Sequence, residues 1–428
     1  MNPELRTPSS ELRTPNPERR TPNAEPRTPN SELRTPNSER FRILILCYEW
    51  PPVGGGGGRA ARDVAEALAR RGHQVRIQTI RLFGMPKREV HPNLELYRTW
   101  GFRRRPDRCT PVEMAGYLVT SFLPVLRHLR EFRPEIIHAH FAVPTGPLAL
   151  AASVLGRVPY VITAHLGDVP SAIPEQTDRL FRWLDPAIRP VWKHAAAVTT
   201  VSRFVAGLAE KAYGCRPDLI PNGVDLRDRS APPGPAVLPS QPRLLFVGRL
   251  NPQKNLPFLF RVLAELKASP WTLDVVGAGE DGPVLKRFVE ARQLQDQIRF
   301  HGWLQRAEVD AMLAGSDALV FPSTVEGLPL ALLEGLKFGL AIVASDLPPL
   351  RDLVEDGRNG FLLEPNALES WTTSLRKLLA DPAALLAMRR ESWKLASRFD
   401  LENIAGRYES VYWRILSIRG IRRTCQPR

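Results

Sequence analysis

Glu326 and Glu334 are the two acids in the apolar run STVEGLPLALLEGLKFGLAIVAS, residues 323–345, with seven residues between them. An ionised carboxylate accepts several hydrogen bonds, which suits the neighbouring hydroxyls of a ribose or a hexose. A turn at STVEG, followed by a helix with Pro329 in its first turn, sets Glu326 at the turn. Glu334 then falls about one and a half turns into the helix, so that both carboxylates can face one crevice. The plain alternative is that Glu326 caps the helix and Glu334 is solvated. In FVGRLNPQKN (246–255), Gly248 and Arg249 follow an apolar strand and Lys254 precedes a helix. A planar guanidinium and a compact ammonium at such a turn suit a diphosphate. Two solvated cations on a surface loop are the competing reading. VVGAGED (275–281) has the same form, with Gly277 and Gly279 allowing backbone close to a nucleotide.

The glycine run Gly54–Gly58 lies between a strand and a helix, where bare N–H groups and the helix start favour an oxyanion. It is neither G-x-G-x-x-G nor a P-loop, and it reads equally as a flexible loop. TAHLGDV (163–169) puts His165 and Asp168 after another apolar strand. A lone histidine there is more often structural than catalytic.

These residues meet only if their strands end side by side. FRILILCYEW, beginning at Phe41, is a short apolar run of the kind buried in parallel sheets. The glycine run, a helix carrying Val64 and Leu68, and QVRIQTI complete a βαβ unit. EIIHAHF (135–141), PYVITAH (159–165), AAAVTTVS (195–202) and PDLIPNG (217–223) continue the series. VDLRDRSAPPGPAVLPSQP is rich in proline and reads as a linker. RLLFVGRL, TLDVVGAG, IRFHGWL, ALVFPS and AIVAS then form a second set of strands alternating with amphipathic helices. Two such sets predict two doubly wound domains with ligands beyond the carboxyl ends of their strands.

Bulk properties narrow the classes. The 428 residues carry a net charge of +14, and residues 41–240 hold 27 Lys and Arg against 17 Asp and Glu. That excess favours an anionic partner. A basic stripe interleaved with aromatics is not evident, which argues against nucleic acid. Cys47, Cys109, Cys215 and Cys425 form no C-x-x-C pair, as expected of a reducing cytosol without a zinc site. No apolar signal segment is visible, and MAGYLVTSFLPVL (114–126) is too short to span a bilayer. Arg-Thr-Pro recurs every seven residues through residues 1–40. A proline in each period blocks a coiled coil, and the composition points to disorder. The repeat also reads as a translated DNA repeat or as a Thr-Pro phosphorylation tail.

Taken in order, FVGRLNPQKN, VVGAGED, FHGWL, FPSTVEGLPLALLEGLKFGLAIVAS and EDGRNGFLLEP resemble the nucleotide-binding domain of the retaining glycosyltransferases of family 4. CYEWPPVGGGGG and TVSRFVAGLAEKAYG with LIPNGVD resemble that family's N-terminal domain, so the likeness spans about residues 41–410. It implies an α/β GT-B fold: two Rossmann-like doubly wound domains facing a central cleft, behind a disordered N-terminal repeat tail. The expected limits are a tail at 1–40, an acceptor domain at 41–225, a linker at 226–242, a donor domain at 243–400 and a crossing helix within 401–428.

The implied reaction is transfer of a hexose from a nucleotide sugar with retention of configuration and without a metal. No cofactor is implied. In the family's usual scheme the leaving phosphate helps deprotonate the acceptor on the same face, and neither glutamate is a nucleophile. By the resemblance, Arg249 and Lys254 bind the diphosphate, Glu326 the transferred sugar and Glu334 the ribose. Gly248, Gly277, Gly279, Gly327 and Leu328 complete the donor site, with Gly54 and Gly55 bordering phosphate and acceptor. His165 reaches the sugar from the first domain and Asp168 lies on the acceptor side. Leu166 stands where the family often has glycine. The implied partners are a nucleotide sugar and a sugar or lipid-linked acceptor of cell-surface polysaccharide or glycolipid synthesis. An anionic membrane surface is the further candidate, through GFRRRPDR (101–108) and RGIRR (419–423). The expected place is the cytoplasm, with the inner membrane face left open. A GT-B nucleotide-sugar epimerase and a non-catalytic binder of an anionic partner are the competing functions.

Overall fold

The computed structural model describes residues 40–106, 109–171, 174–234 and 241–418, with the side chains of 174–183 excepted. The repeat up to residue 39, residues 107–108 of the arginine-rich run, part of the linker and RGIRR lie outside them.

Short apolar runs become the strands of two sheets. In the first half these are β1 Arg42–Leu46, β2 Gln74–Arg81, β3 Arg88–His91, β4 Leu94–Trp100, β5 Ile136–His140, β6 Tyr160–Ala164, β7 Ala197–Thr200 and β8 Asp218–Leu219. They order as β3-β4-β2-β1-β5-β6-β7-β8, parallel except for the β3–β4 pair. The second half supplies β9 Arg243–Val247, β10 Thr272–Val276, β11 Ile298–Gly302, β12 Ala318–Phe321, β13 Ala341–Ser345 and β14 Gly360–Leu363. Their order is β11-β10-β9-β12-β13-β14, parallel throughout.

The helices are α1 Gly56–Arg70, α2 Pro111–Glu131, α3 Thr145–Gly156, α4 Pro174–Lys193, α5 Arg203–Tyr213, α6 Leu256–Ala264, α7 Gly282–Ala291, α8 Arg306–Ala314, α9 Leu330–Lys337, α10 Leu368–Ala380, α11 Pro382–Leu395 and α12 Leu401–Ile418. Among the described residues, no helix is long and apolar enough to cross a membrane.

Burial follows from this layering. Ile43, Leu44, Ile45 and Leu46 are wholly buried because helices cover both faces of the sheet. Burying each such side chain contributes about 1.5–3 kcal/mol. Helix α12 returns to the first sheet: Ile404, Tyr408, Val411 and Tyr412 join its core, and Tyr412 Oη bonds His138 Nδ1 at 2.7 Å. Glu409 on α12 takes two bonds from Arg71, at 2.6 and 2.7 Å. The hairpin β3–β4 has no counterpart in the expected strands. Charged and apolar residues alternate across REVHPNLELYRTW, leaving no continuous apolar run to mark it.

What positions the site is the strand order. In each sheet the chain starts centrally and reverses direction of travel, between β1 and β5 and between β9 and β12. Loops leaving two such neighbours diverge and open a crevice at the carboxyl ends. The loops there carry the glycine run after β1, Phe141 after β5, Arg249 and Lys254 after β9, and Glu326 after β12.

Candidate active site

The two crevices face each other. A Cβ on Gly55 would lie 3.6 Å from Arg249 Nη2, so the glycine run of the first sheet meets the cation of the second. Arg249 is exposed, and among the described residues it enters no ion pair. Gly54 has φ +98°, and a side chain there would strike Glu49. Glu49 Oε2 in turn accepts from Gly55 N–H at 2.9 Å. Glu49 thus braces the start of the run.

Lys254 closes the short turn Pro252–Lys254, which is stitched to the loop after β12 by Thr324 N–H to Gln253 O at 2.9 Å. That stitching brings Lys254 Nζ within 2.5 Å of Glu326 Oε1 and 4.6 Å of the Phe321 ring centre. Glu326 is 8% exposed and does not cap α9, whose N-cap is Pro329. Glu334 on α9 is 3% exposed, so it is no solvated helix residue either. Its Oε1 accepts from Arg59 of α1 and Arg306 of α8, one from each half of the chain. Its Oε2 is buried without a hydrogen-bond partner among the described residues. Gly327 lies against Leu166 of the first half: a Cβ on Gly327 would sit 3.1 Å from Leu166 Cβ. The Leu328 carbonyl accepts from Asn222 Nδ2 at 2.8 Å, a second tie across the cleft.

Four expected residues have another immediate job. A Cβ on Gly277 would fall 1.8 Å from Gly248 O, and one on Gly279 would fall 2.1 Å from Leu250 O. Their missing side chains make room for the neighbouring backbone of the chain itself. Gly248 N–H donates to Val276 O at 3.0 Å, which extends the β9–β10 pairing into the loops. Asp168, expected on the acceptor side, is 1% exposed and lies behind His165. Its oxygens accept from His165 N–H at 2.7 Å and Val143 N–H at 3.2 Å, so it clamps the turn that presents the histidine. Burial pushes its carboxyl up to about 7. In GFRRRPDR, Arg103 is buried, donating to the carbonyls of Arg105 and Pro106 at 3.0 Å, and so cannot meet a membrane.

His165 packs on Phe141, with ring centres 4.6 Å apart, and its Nε2 is buried without a partner among the described residues. Behind it stand His140 and His138, whose rings lie 4.3 Å apart. Burial lowers His165 and His128 to about 4 and His138 to about 3, and it holds His140 well below its ordinary value. The unfolded chain therefore binds more protons than the native one as pH falls from 6.5 toward 4, and stability drops through that window. Asp168 acts in the opposite sense, since its stabilising proton is lost as pH rises through about 7. Four imidazoles outweigh one carboxyl. The melting temperature is expected to fall on acidification from pH 6.5 to 4, and His140→Asn to flatten that fall. Equal slopes for the two proteins would refute the assignment.

Arg59, Arg306, Asn222 and Glu49 were not among the expected residues. One signal was present for the arginines. Each lies in the first turn of a helix, where a cation opposes the macrodipole and needs an acid beside it.

Two Rossmann-like sheets whose switch points open on one cleft, with cations and buried carboxylates at the strand ends, form the two-domain GT-B architecture. Residues 54–228 match the family Glycosyltransferase Family 4 and residues 234–396 match Glycosyl transferases group 1. The chain belongs to the group 1 glycosyltransferases and transfers sugar from a nucleotide-sugar donor. A glycogen synthase of Mycobacterium tuberculosis is 29% identical over 416 residues, covering 90% of this chain and 97% of that one. Sucrose-phosphate synthase from Thermosynechococcus elongatus superposes with a TM-score of 0.75 at 21% identity, over 89% of this chain and 100% of its own. Anabaena HepE in complex with UDP and glucose gives 0.69 at 19% identity, over 88% and 100%. At these identities the two structures speak to fold.

Proposed function

We propose that the protein transfers a hexose from a nucleotide sugar with retention of configuration and without a metal. The acceptor is a sugar or lipid-linked intermediate of cell-surface polysaccharide or glycolipid synthesis. The observation that carries this reading is the part-buried Lys254–Glu326 pair at 2.5 Å, beside an exposed Arg249 that faces the glycine loop. Arg249 and Lys254 take the diphosphate and stabilise the charge that grows on it as the glycosidic bond breaks. Glu326 accepts from hydroxyls of the hexose, and Glu334 from those of the ribose. His165, neutral at physiological pH, borders the sugar from the first half, with Asp168 fixing its turn. The departing phosphate takes the acceptor proton on the face it leaves, so neither glutamate forms a covalent bond.

A second reading, glucosyl transfer onto an α-glucan, is favoured by the near full-length likeness to a protein named glycogen synthase. Both readings are tested by melting the full chain against UDP-, GDP-, ADP- and TDP-sugars and assaying nucleotide release with glycan and lipid-linked acceptors. Saturation at 100 times Kd stabilises the folded chain by about 2.7 kcal/mol. A shift with one base and a product retaining the donor's anomeric configuration support the proposal. An inverted product, or activity abolished by a chelator, would overturn retention or metal independence respectively.

A further inference from the structure

We propose that the outward face of α2 docks the protein on an anionic lipid bilayer. The apolar run MAGYLVTSFLPVL makes up most of this helix, whose buried positions are Tyr117, Ser121, Val125 and His128. Val112, Val119 and Leu123 point away from them and are 77%, 76% and 73% exposed. Their spacing of seven and four residues puts them on one stripe. Phe102, also exposed, extends the stripe: a Cβ on Gly116 would meet its ring at 2.8 Å. At the other end Gly156 of α3 abuts Leu129 of α2, and Val154 and Leu155 of α3 are exposed as well.

A helix on a water-facing surface turns polar residues outward, and this one does the reverse. The apolar stripe is bounded by arginines at both ends. Arg104 and Arg105 are exposed before the helix, and Arg127, Arg130 and Arg133 at its end. Of the nearby acids, Glu113 is spent on the cap at Thr110, and Glu131 lies 3.3 Å from Arg127. Apolar side chains between cationic ends match the two layers of an anionic bilayer surface, acyl boundary and headgroups. A protein partner would require no such excess of one charge. This surface lies on α2, outside the donor-binding loops, and does not depend on which sugar is transferred.

The test is sedimentation of the full chain with vesicles of phosphatidylcholine alone or mixed equally with phosphatidylglycerol. Binding is expected to the mixed vesicles and to weaken with salt. Val119→Glu with Leu123→Glu is expected to cut it at least about fivefold while leaving the melting temperature unchanged, since the stripe is exposed. Arg127→Glu with Arg130→Glu, which touches no core residue, is expected to give a comparable loss. Failure of the wild type to bind the mixed vesicles overturns the proposal. Undiminished binding by both variants overturns it too, by moving the contact elsewhere on the chain. A wild-type dimer that the first variant splits, without vesicle binding, would assign the face to a second copy and overturn it equally.

Discussion

Lys254→Met is expected to lower kcat by about 10²–10³-fold at saturating donor, the usual loss when one preorganised donor to developing charge is removed. The ammonium lies 2.5 Å from Glu326 Oε1, and the Glu326 side chain is 9% exposed. Removing Lys254 alone therefore leaves an uncompensated buried carboxylate, which costs about 3–5 kcal/mol of stability. That cost creates an ambiguity, because a lysine that only neutralised Glu326 would also be indispensable. The double variant Lys254→Met with Glu326→Gln separates the two roles. Its carboxamide carries no charge, so the melting temperature is expected to recover most of the loss. Activity is expected to stay at or below that of Lys254→Met, since the leaving diphosphate still lacks its cation. Recovery of kcat together with stability would show that Lys254 serves Glu326 and not the substrate.

What could be read from the sequence was whatever a short segment determines alone. Apolar runs ending in glycine or a charged residue marked strand ends, and parallel α/β sheets gather strand ends at one edge. The loops carrying Gly55, Arg249, Lys254 and Glu326 were therefore identifiable before their meeting was seen. The partners of those residues were not. Arg59 and Glu334 are 275 positions apart, and no local pattern couples a helix start in one sheet to a helix in the other. Gly277 was legible as a glycine that had to be glycine, yet the atom it avoids is Gly248 O, supplied by the preceding strand's loop. Asp168 was legible as an acid near His165, while its direction depended on the amide of Val143, which comes from the loop after β5. The outward apolar face of α2 was visible as a run of residues, but which of them the sheet would cover depended on packing.

A nucleoside diphosphate lacking both ribose hydroxyls is expected to bind about 10²-fold more weakly than its ribose parent, the loss of one or two hydrogen bonds to a charged acceptor. Glu334 carries the asymmetry behind this expectation: Oε1 is taken by Arg59 and Arg306, whereas the buried Oε2 has no partner among the described residues. Leaving such an acceptor unsatisfied costs about 1–3 kcal/mol, and a ribose hydroxyl donating to it would relieve that cost without displacing either arginine. Glu334→Ala should then bind ribose and dideoxyribose nucleotides alike, both weakly. Its two arginine partners, 31% and 41% exposed as side chains, can return to water, so the fold should survive the change. Arg59→Met provides the contrast. It removes one of the two cations that hold Glu334 in place, so ribose discrimination should shrink without vanishing while Arg306 remains. Calorimetric titration of the three proteins with both nucleotides reads each term directly. A preference for ribose that persists undiminished in Glu334→Ala would move the ribose to another acceptor and leave Glu334 as a strut between the two halves.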